Sequence, residues 1–144
     1  GQHSPHRFLR EYRTQSRGAR IILVDDSTIQ KDNISRALGA DNDHITVIDD
    51  YDASGKIVDL DGDVVIISLS LDTDAPLRLA SRLRSLEPSR HVPVLLIGDR
   101  EDQDLFIKAL ELGINDFIMR PLDEHELLAR VRTQVRRKRY QDRL

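Results

Sequence analysis

The sequence predicts an α/β fold: a doubly wound, five-stranded parallel sheet with helices on both faces. Two observations carry this. Short apolar runs rich in β-branched residues, "IILV", "VVIIS" and "VPVLLIG", recur along the chain, and a strand apolar on both sides needs cover on both sides. These runs alternate with segments whose apolar residues fall at helical spacing, and strands that alternate with helices pair in parallel through right-handed crossovers. At 144 residues the chain is about one domain's worth.

The first strand is Ile21 to Val24, closed by Asp25, Asp26 and Ser27, residues suited to cap a following helix. From Thr28 to Leu38 the apolar positions Ile34, Ala37 and Leu38 define a helix that Gly39 ends. "HITVID" is the second strand, "DASGKIVDL" a weak short helix, and "DVVIISLSL" the third strand, the most apolar in the chain. Leu79, Leu83 and Leu86 form a stripe on a helix ending before Pro88, and "VPVLLIG" is the fourth strand. Leu105, Ala109 and Leu112 line the next helix, closed by Gly113, and "NDFIM" is the fifth strand. Asp123 then caps a helix with Leu127, Leu128, Val131 and Val135 on one side, unbroken to Leu144.

Apolar residues make up 39% and charged residues 33%, with no apolar run near the ~20 residues of a membrane span, so a soluble protein without membrane contact is expected. The absence of cysteine excludes disulfides, thiolate nucleophiles and zinc-thiolate sites, and fits a reducing, cytoplasmic setting. "GQHSPH", with neither an initiator Met nor a signal-peptide pattern, reads as a cut or cloned end. Residues 1–18 are therefore expected to be a linker or cloning-derived segment, 19–137 the domain, and 138–144 the start of a linker helix. Net charge is −3, but basic ends flank an acidic body: "RVRTQVRRKR" carries six basic residues and no acid. Those six are solvated, paired with acids or bound to a polyanion. Nucleic-acid binding is the weaker reading, since only Tyr140 supplies a stacking group nearby.

In doubly wound sheets polar sites form at the carboxyl ends of the strands. Here those ends are Asp25 and Asp26, Ser68, Gly98 and Arg120. The two carboxylates either favour the positive end of the following helix or supply oxygen ligands to a divalent cation. A serine becomes a nucleophile only with a general base within about 3 Å. Arg120 keeps a fixed charge as a planar fork and can bridge to Asp25 or Asp26. The five histidines show no ligand spacing, and "DLDGD" lacks the lysine and spacing of a phosphate loop.

An acid pair ending strand one, a third strand ending in a potential nucleophile, and "GINDFIMRPL" with its basic residue before proline resemble the receiver domain of response regulators from about Ala19 to Arg137. The resemblance implies the flavodoxin-like strand order 2-1-3-4-5. It also implies a site where the acid pair holds Mg2+, an Asp ending strand three accepts a phosphoryl group, a Ser or Thr ends strand four, and a Lys precedes the proline. Such a set is chemically coherent, because a carboxylate attacks phosphorus when cations offset the charge on the transferring group. Asp25 and Asp26 match the acid pair, but the acceptor position, counted from Asp63, falls on Ser68, the hydroxyl position on Gly98 and the Lys position on Arg120. The site is therefore expected to be degenerate, with weak or vestigial Mg2+ at Asp25 and Asp26 and no cofactor required. The alternative is a relocated acceptor, Asp72 or Asp74, although Asp is common in such loops for turn chemistry alone.

The acceptor-less third strand, "LEPSRHVPVLLIGDREDQD" and "KALELGINDFIMRPLDEHELLARVRTQVRRKRY" are similar to the second, degenerate receiver of PleD-type response regulators, in which two receivers precede a diguanylate cyclase domain. That resemblance implies a non-enzymatic adaptor and dimerisation module in cyclic-di-GMP signalling. Its partners would be a preceding receiver and a following cyclase domain, in a homodimer of the full-length protein. The cyclase's Gly-Gly-acidic-acidic-Phe run is absent from this chain. Contacts are expected on the helix after strand four, strand five and the last helix, through Leu105, Lys108, Glu111, Asp116, Arg130, Arg132 and Tyr140. A small flavin-binding protein of the same topology is disfavoured by loops lacking a Ser/Thr/Gly-rich phosphate cradle.

Overall fold

A computed structural model of the chain describes residues 15–70 and 73–144. Five strands, β1 (Arg20–Val24), β2 (His44–Ile48), β3 (Val64–Ser68), β4 (Val94–Gly98) and β5 (Asp116–Met119), form one sheet of order β2-β1-β3-β4-β5, parallel throughout. The helices are α1 (Thr28–Leu38), α2 (Ser54–Leu60), α3 (Ala75–Ser85), α4 (Gln103–Glu111) and α5 (Glu124–Arg143).

The period-two alternation of the strands divides the core into two layers. Ile22, Val24, Val65, Ile67 and Leu96 face α2, α3 and α4, which contribute Ile57, Leu79, Leu83 and Phe106. Ile21, Leu23, Ile66, Leu95 and Ile118 face α1 and α5, which contribute Ile34, Leu38, Leu127, Val131 and Val135. All five residues of β3 are buried, and Ser68 at its end is 2% exposed.

Two expected helical stripes are corrected. Leu86 is the C-cap residue of α3, with extended backbone, and is half-exposed, because the helix stops at Ser85 and Pro76 and Ala80 join Leu79 and Leu83 on its buried side. Leu112 lies one residue past α4 and is 57% exposed, while Phe106, absent from the expected stripe, is fully buried. In each case the last leucine sat beyond the final turn, where spacing no longer fixes which way a side chain points.

At the C-terminal end of β4, Gly98 permits a close approach. A Cβ there would meet Phe106 Cζ at 2.7 Å, Asp102 Oδ2 at 2.8 Å and Leu69 Cδ1 at 2.9 Å. Phe106 in turn stacks on Phe117 of β5, with centroids 4.4 Å apart and planes within 8°. The two rings fill the space beside Gly98 that a branched hydroxyl residue would need.

Candidate functional site at the carboxyl ends of the strands

The order β2-β1-β3 makes β1 and β3 neighbours, with Val24 opposite Ile67, and thereby sets Asp25 beside Ser68. Asp25 is 1% exposed and Ser68 2% exposed. The Ser68 hydroxyl donates to Asp25 Oδ2 at 2.6 Å, and the Ser27 backbone N–H donates to Asp25 Oδ1 at 2.7 Å. Both carboxylate oxygens are thus engaged, which satisfies a buried charge by hydrogen bonds rather than by a cation. Asp26, one residue on, is exposed. Ser27 is the N-cap of α1, but its hydroxyl makes no cap bond, so the expected side-chain cap does not form; its N–H donates instead to Asp25 Oδ1, a local turn contact.

Sequence reasoning missed Tyr51. Its phenol, in the loop after β2, donates to the Ser68 carbonyl at 2.8 Å and ties that loop to the end of β3. Burial first, then the carboxylates of Asp26 and Asp25, push the phenol above its usual range, so it remains a protonated donor. Asp99 was also missed. It caps the short helical turn Arg100–Asp102, with the Asp99 N–H donating to Asp102 Oδ2 at 2.7 Å. Both residues follow strand ends on the functional side of the sheet, a signal that could have found them.

The expected bridge from Arg120 to Asp25 or Asp26 does not form. Arg120 pairs instead with Asp99, at 3.4 Å. Asp25 is buried and already accepts a hydrogen bond on each oxygen, whereas Asp99 follows β4, the strand next to the one that Arg120 follows. Between these groups lies a cleft of about 260 Å3 lined by Asp26, Gln30, Ser70, Asp99 and Arg120 among others.

The family resemblance implies Mg2+ at Asp25 and Asp26, and Ser68 stands where that resemblance implies a third carboxylate. Among the described residues no three His or acidic side chains converge to hold a metal. Asp25 accepts one hydrogen bond on each oxygen, from Ser68 and from the Ser27 N–H. Mg2+ takes one or two carboxylates and otherwise keeps water, and Asp26 is the exposed carboxylate of the pair. Of the alternative acceptors, Asp74 is an exposed residue just before α3 that pairs with Arg78, while Asp72 lies outside the described residues.

The expected contact residues separate into two groups. Leu105 is half-buried against the core, and Lys108, Glu111 and Tyr140 are exposed. Arg130 reaches Asp116 at 2.8 Å and Glu126 at 3.1 Å, which knits α5 to β5. On α4, Ile107 and Leu110 stand exposed, apolar residues absent from the expected set. Arg132, by contrast, points to another side of α5 and binds Asp41 with two bonds of 2.6 and 2.7 Å. Residues two positions apart are about 200° apart around a helix, so Arg130 and Arg132 cannot share a face. Of the six basic residues in "RVRTQVRRKR", Arg130, Arg132, Lys138 and Arg139 have carboxylate partners within the chain. Most of that charge is therefore compensated internally. None of the helices among the described residues is long and apolar enough to cross a membrane.

Comparison with known proteins agrees with the fold and the strand-end pattern. Residues 21–132 match the family model of the response regulator receiver domain. The chain is 40% identical over 127 residues to the response regulator PleD of Caulobacter vibrioides, covering 87% of this chain and 27% of that protein. It is 29% identical over 121 residues to the phosphate regulon transcriptional regulatory protein PhoB of Pseudomonas aeruginosa, covering 83% and 53% respectively. The chain thus spans from about a quarter to about half the length of these relatives. Among solved structures, NtrX of Brucella abortus superposes with a TM-score of 0.76 at 21% identity, over 88% of this chain and 28% of that one. The receiver domain of a Pseudomonas aeruginosa sensor histidine kinase, solved with a magnesium ion in its active-site cleft, superposes with a TM-score of 0.72 at 20% identity, covering 82% and 98%. Matched by the family model along most of its length and folded in the same strand order, this chain belongs to the response regulator receiver domain family.

Proposed function

We propose that this domain is a receiver that accepts no phosphoryl group and serves as an adaptor and dimerisation module in a cyclic-di-GMP signalling response regulator. One observation carries the reading: the acceptor position is Ser68, whose hydroxyl is bound to Asp25 at 2.6 Å in a buried pair. A receiver needs a carboxylate nucleophile, metal-holding oxygens and a cation aimed at the incoming phosphoryl group. Here the nucleophile is an alcohol, Asp25 is occupied by it, and Arg120 is turned to Asp99. Asp25 could serve as a base for Ser68, but a serine phosphoester lacks the lability of an aspartyl phosphate.

The similarity to PleD supports placing the domain between a preceding receiver and a following cyclase domain in a homodimer. The exposed Ile107 and Leu110 of α4, with Lys108, Glu111 and the Arg130–Asp116–Glu126 cluster, are the surface proposed for those contacts. Charges around an apolar patch set register and partner choice more than raw affinity.

The test is incubation with acetyl phosphate and Mg2+, followed by intact mass. The expected result is an unmodified chain. An acid-stable, base-labile adduct mapped to Asp72 or Asp74 would overturn the reading and make this a receiver with a relocated acceptor.

A further inference from the structure

At the end of the sheet opposite the acidic cleft, the segment leading into β1 meets the helix that leaves the domain. The incoming segment is docked on the fold, with Ser16 at 1% and Ala19 at 0% exposure, and it turns at Gly18, whose φ is +64°. Its backbone is held by three residues. The Gly18 N–H donates to the Asp41 carbonyl at 3.0 Å, the Ala19 N–H to Asp43 Oδ1 at 3.0 Å, and the Arg20 N–H to Asp63 Oδ2 at 2.9 Å.

Helix α5 reaches the same residues from the other side. Arg132 grips the Asp41 carboxylate with two bonds, and Arg139 lies 3.7 Å from Asp63 Oδ2. Arg139 Nη1 also donates to the backbone carbonyls of Gln15, at 3.0 Å, and Arg17, at 2.9 Å. The two arginines are seven positions apart, about two turns, and so lie on one side of the helix. Val135 is the last buried residue of α5. Arg139 therefore acts on the stretch of helix beyond the core, and its bonds go to the incoming backbone itself.

We propose that Arg139, with Arg132 two turns before it, makes the incoming segment and the departing helix one rigid junction at the base of the sheet. A displacement of whatever precedes Gln15 is then passed directly to the carboxyl-terminal part of α5, without involving the acidic cleft. The chemistry suits the task. A guanidinium is a planar fork of donors that can hold two carbonyls and face a carboxylate at once, whereas an ammonium is a point charge. The Arg139 and Asp63 side chains are 28% and 15% exposed, so solvent screens their attraction less than at an open surface. The junction goes beyond the adaptor reading, since it holds whether or not the cleft takes a phosphoryl group.

The absence of cysteine makes the test direct. Nitroxide labels are placed on Arg17→Cys and Gln141→Cys in the full chain, and the distance distribution is measured by pulsed electron resonance, with Lys56→Cys and Asp104→Cys as a control pair across the domain body. The expected result is one narrow distance for the junction pair, lost in Arg139→Ala while the control pair keeps its own. A junction distance that stays narrow in Arg139→Ala would overturn the proposal. So would broadening that extends to the control pair, since Arg139 would then hold the whole domain rather than the junction. If Arg139→Ala loses its cooperative thermal transition, Arg139→Lys carries the same test, because it keeps the charge beside Asp63 and lacks the fork. Broadening supports the junction, and an unchanged peak overturns it.

Discussion

At the carboxyl end of the sheet three carboxylates, Asp25, Asp26 and Asp99, lie near one arginine, Arg120; at the amino end three others, Asp41, Asp43 and Asp63, lie near two, Arg132 and Arg139. The same groups are used in opposite ways. Asp25 and Asp41 are both buried, yet Asp25 is satisfied by a hydroxyl and a backbone N–H while Asp41 is held by a guanidinium. Hydrogen bonds from neutral donors settle a carboxylate within its own end of the sheet. An arginine arriving from a distant helix settles the charge and also joins two elements, so the base becomes a fastening.

Breaking the base should cost most. Arg132→Leu leaves the Asp41 carboxylate buried without its cation, and a loss of about 3 kcal/mol is expected in urea unfolding, toward the low end for a broken buried pair because Arg132 is partly exposed. Gly98→Thr, which restores the hydroxyl residue the family resemblance implies, should cost about 2 kcal/mol by overpacking against Phe106 and Leu69, read in the same way. Equal stability to the parent would mean that the Phe106–Phe117 stack is free to move aside.

Ser68→Ala removes one of two hydrogen bonds to a buried carboxylate, for about 1 kcal/mol. Asp26→Asn, at an exposed residue, should be close to neutral by thermal melting. If the order of those two were reversed, the division of labour between Asp25 and Asp26 would be wrong.

Asp43 sharpens the comparison through pH. Burial raises its carboxyl from 3.8 to about 6, against the lowering effect of its bond from the Ala19 N–H, and Asp41 adds to the rise. A raised native value means that the folded chain holds a proton the unfolded chain has lost between about pH 4 and 6, so stability falls as pH rises through that window, with the full penalty present above it. Asp43→Asn should therefore raise stability at pH 7.5 by about 1 kcal/mol, discounted for half exposure, with the gain vanishing below pH 4. Thermal melts of both proteins across that range test it.

Much of this was legible in the residues. Continuous apolar runs such as Val64 to Ile67 announce strands covered on both faces, because burial is a property of each side chain and survives into the fold. The site positions were legible for a similar reason: in a parallel sheet the strand ends are local features, and Asp25, Ser68, Gly98 and Arg120 could be named from where each run stops. The junction at the base was not legible. Arg139 and Gln15 are 124 residues apart, and the acceptor is a backbone carbonyl with no signature of its own.

What the chain by itself determined is which positions are apolar, where each element begins and which strand ends carry polar groups, since these follow from period and residue type. Only the tertiary structure decided which partner each polar group takes. Arg120 chose Asp99 over Asp25, and Arg132 left the expected face for Asp41, because a buried charge is settled by whichever group the packing brings within hydrogen-bond reach. That choice is made by topology, which sets β1 beside β3 and lays α5 along one face of the sheet, with Arg132 and Arg139 reaching its base.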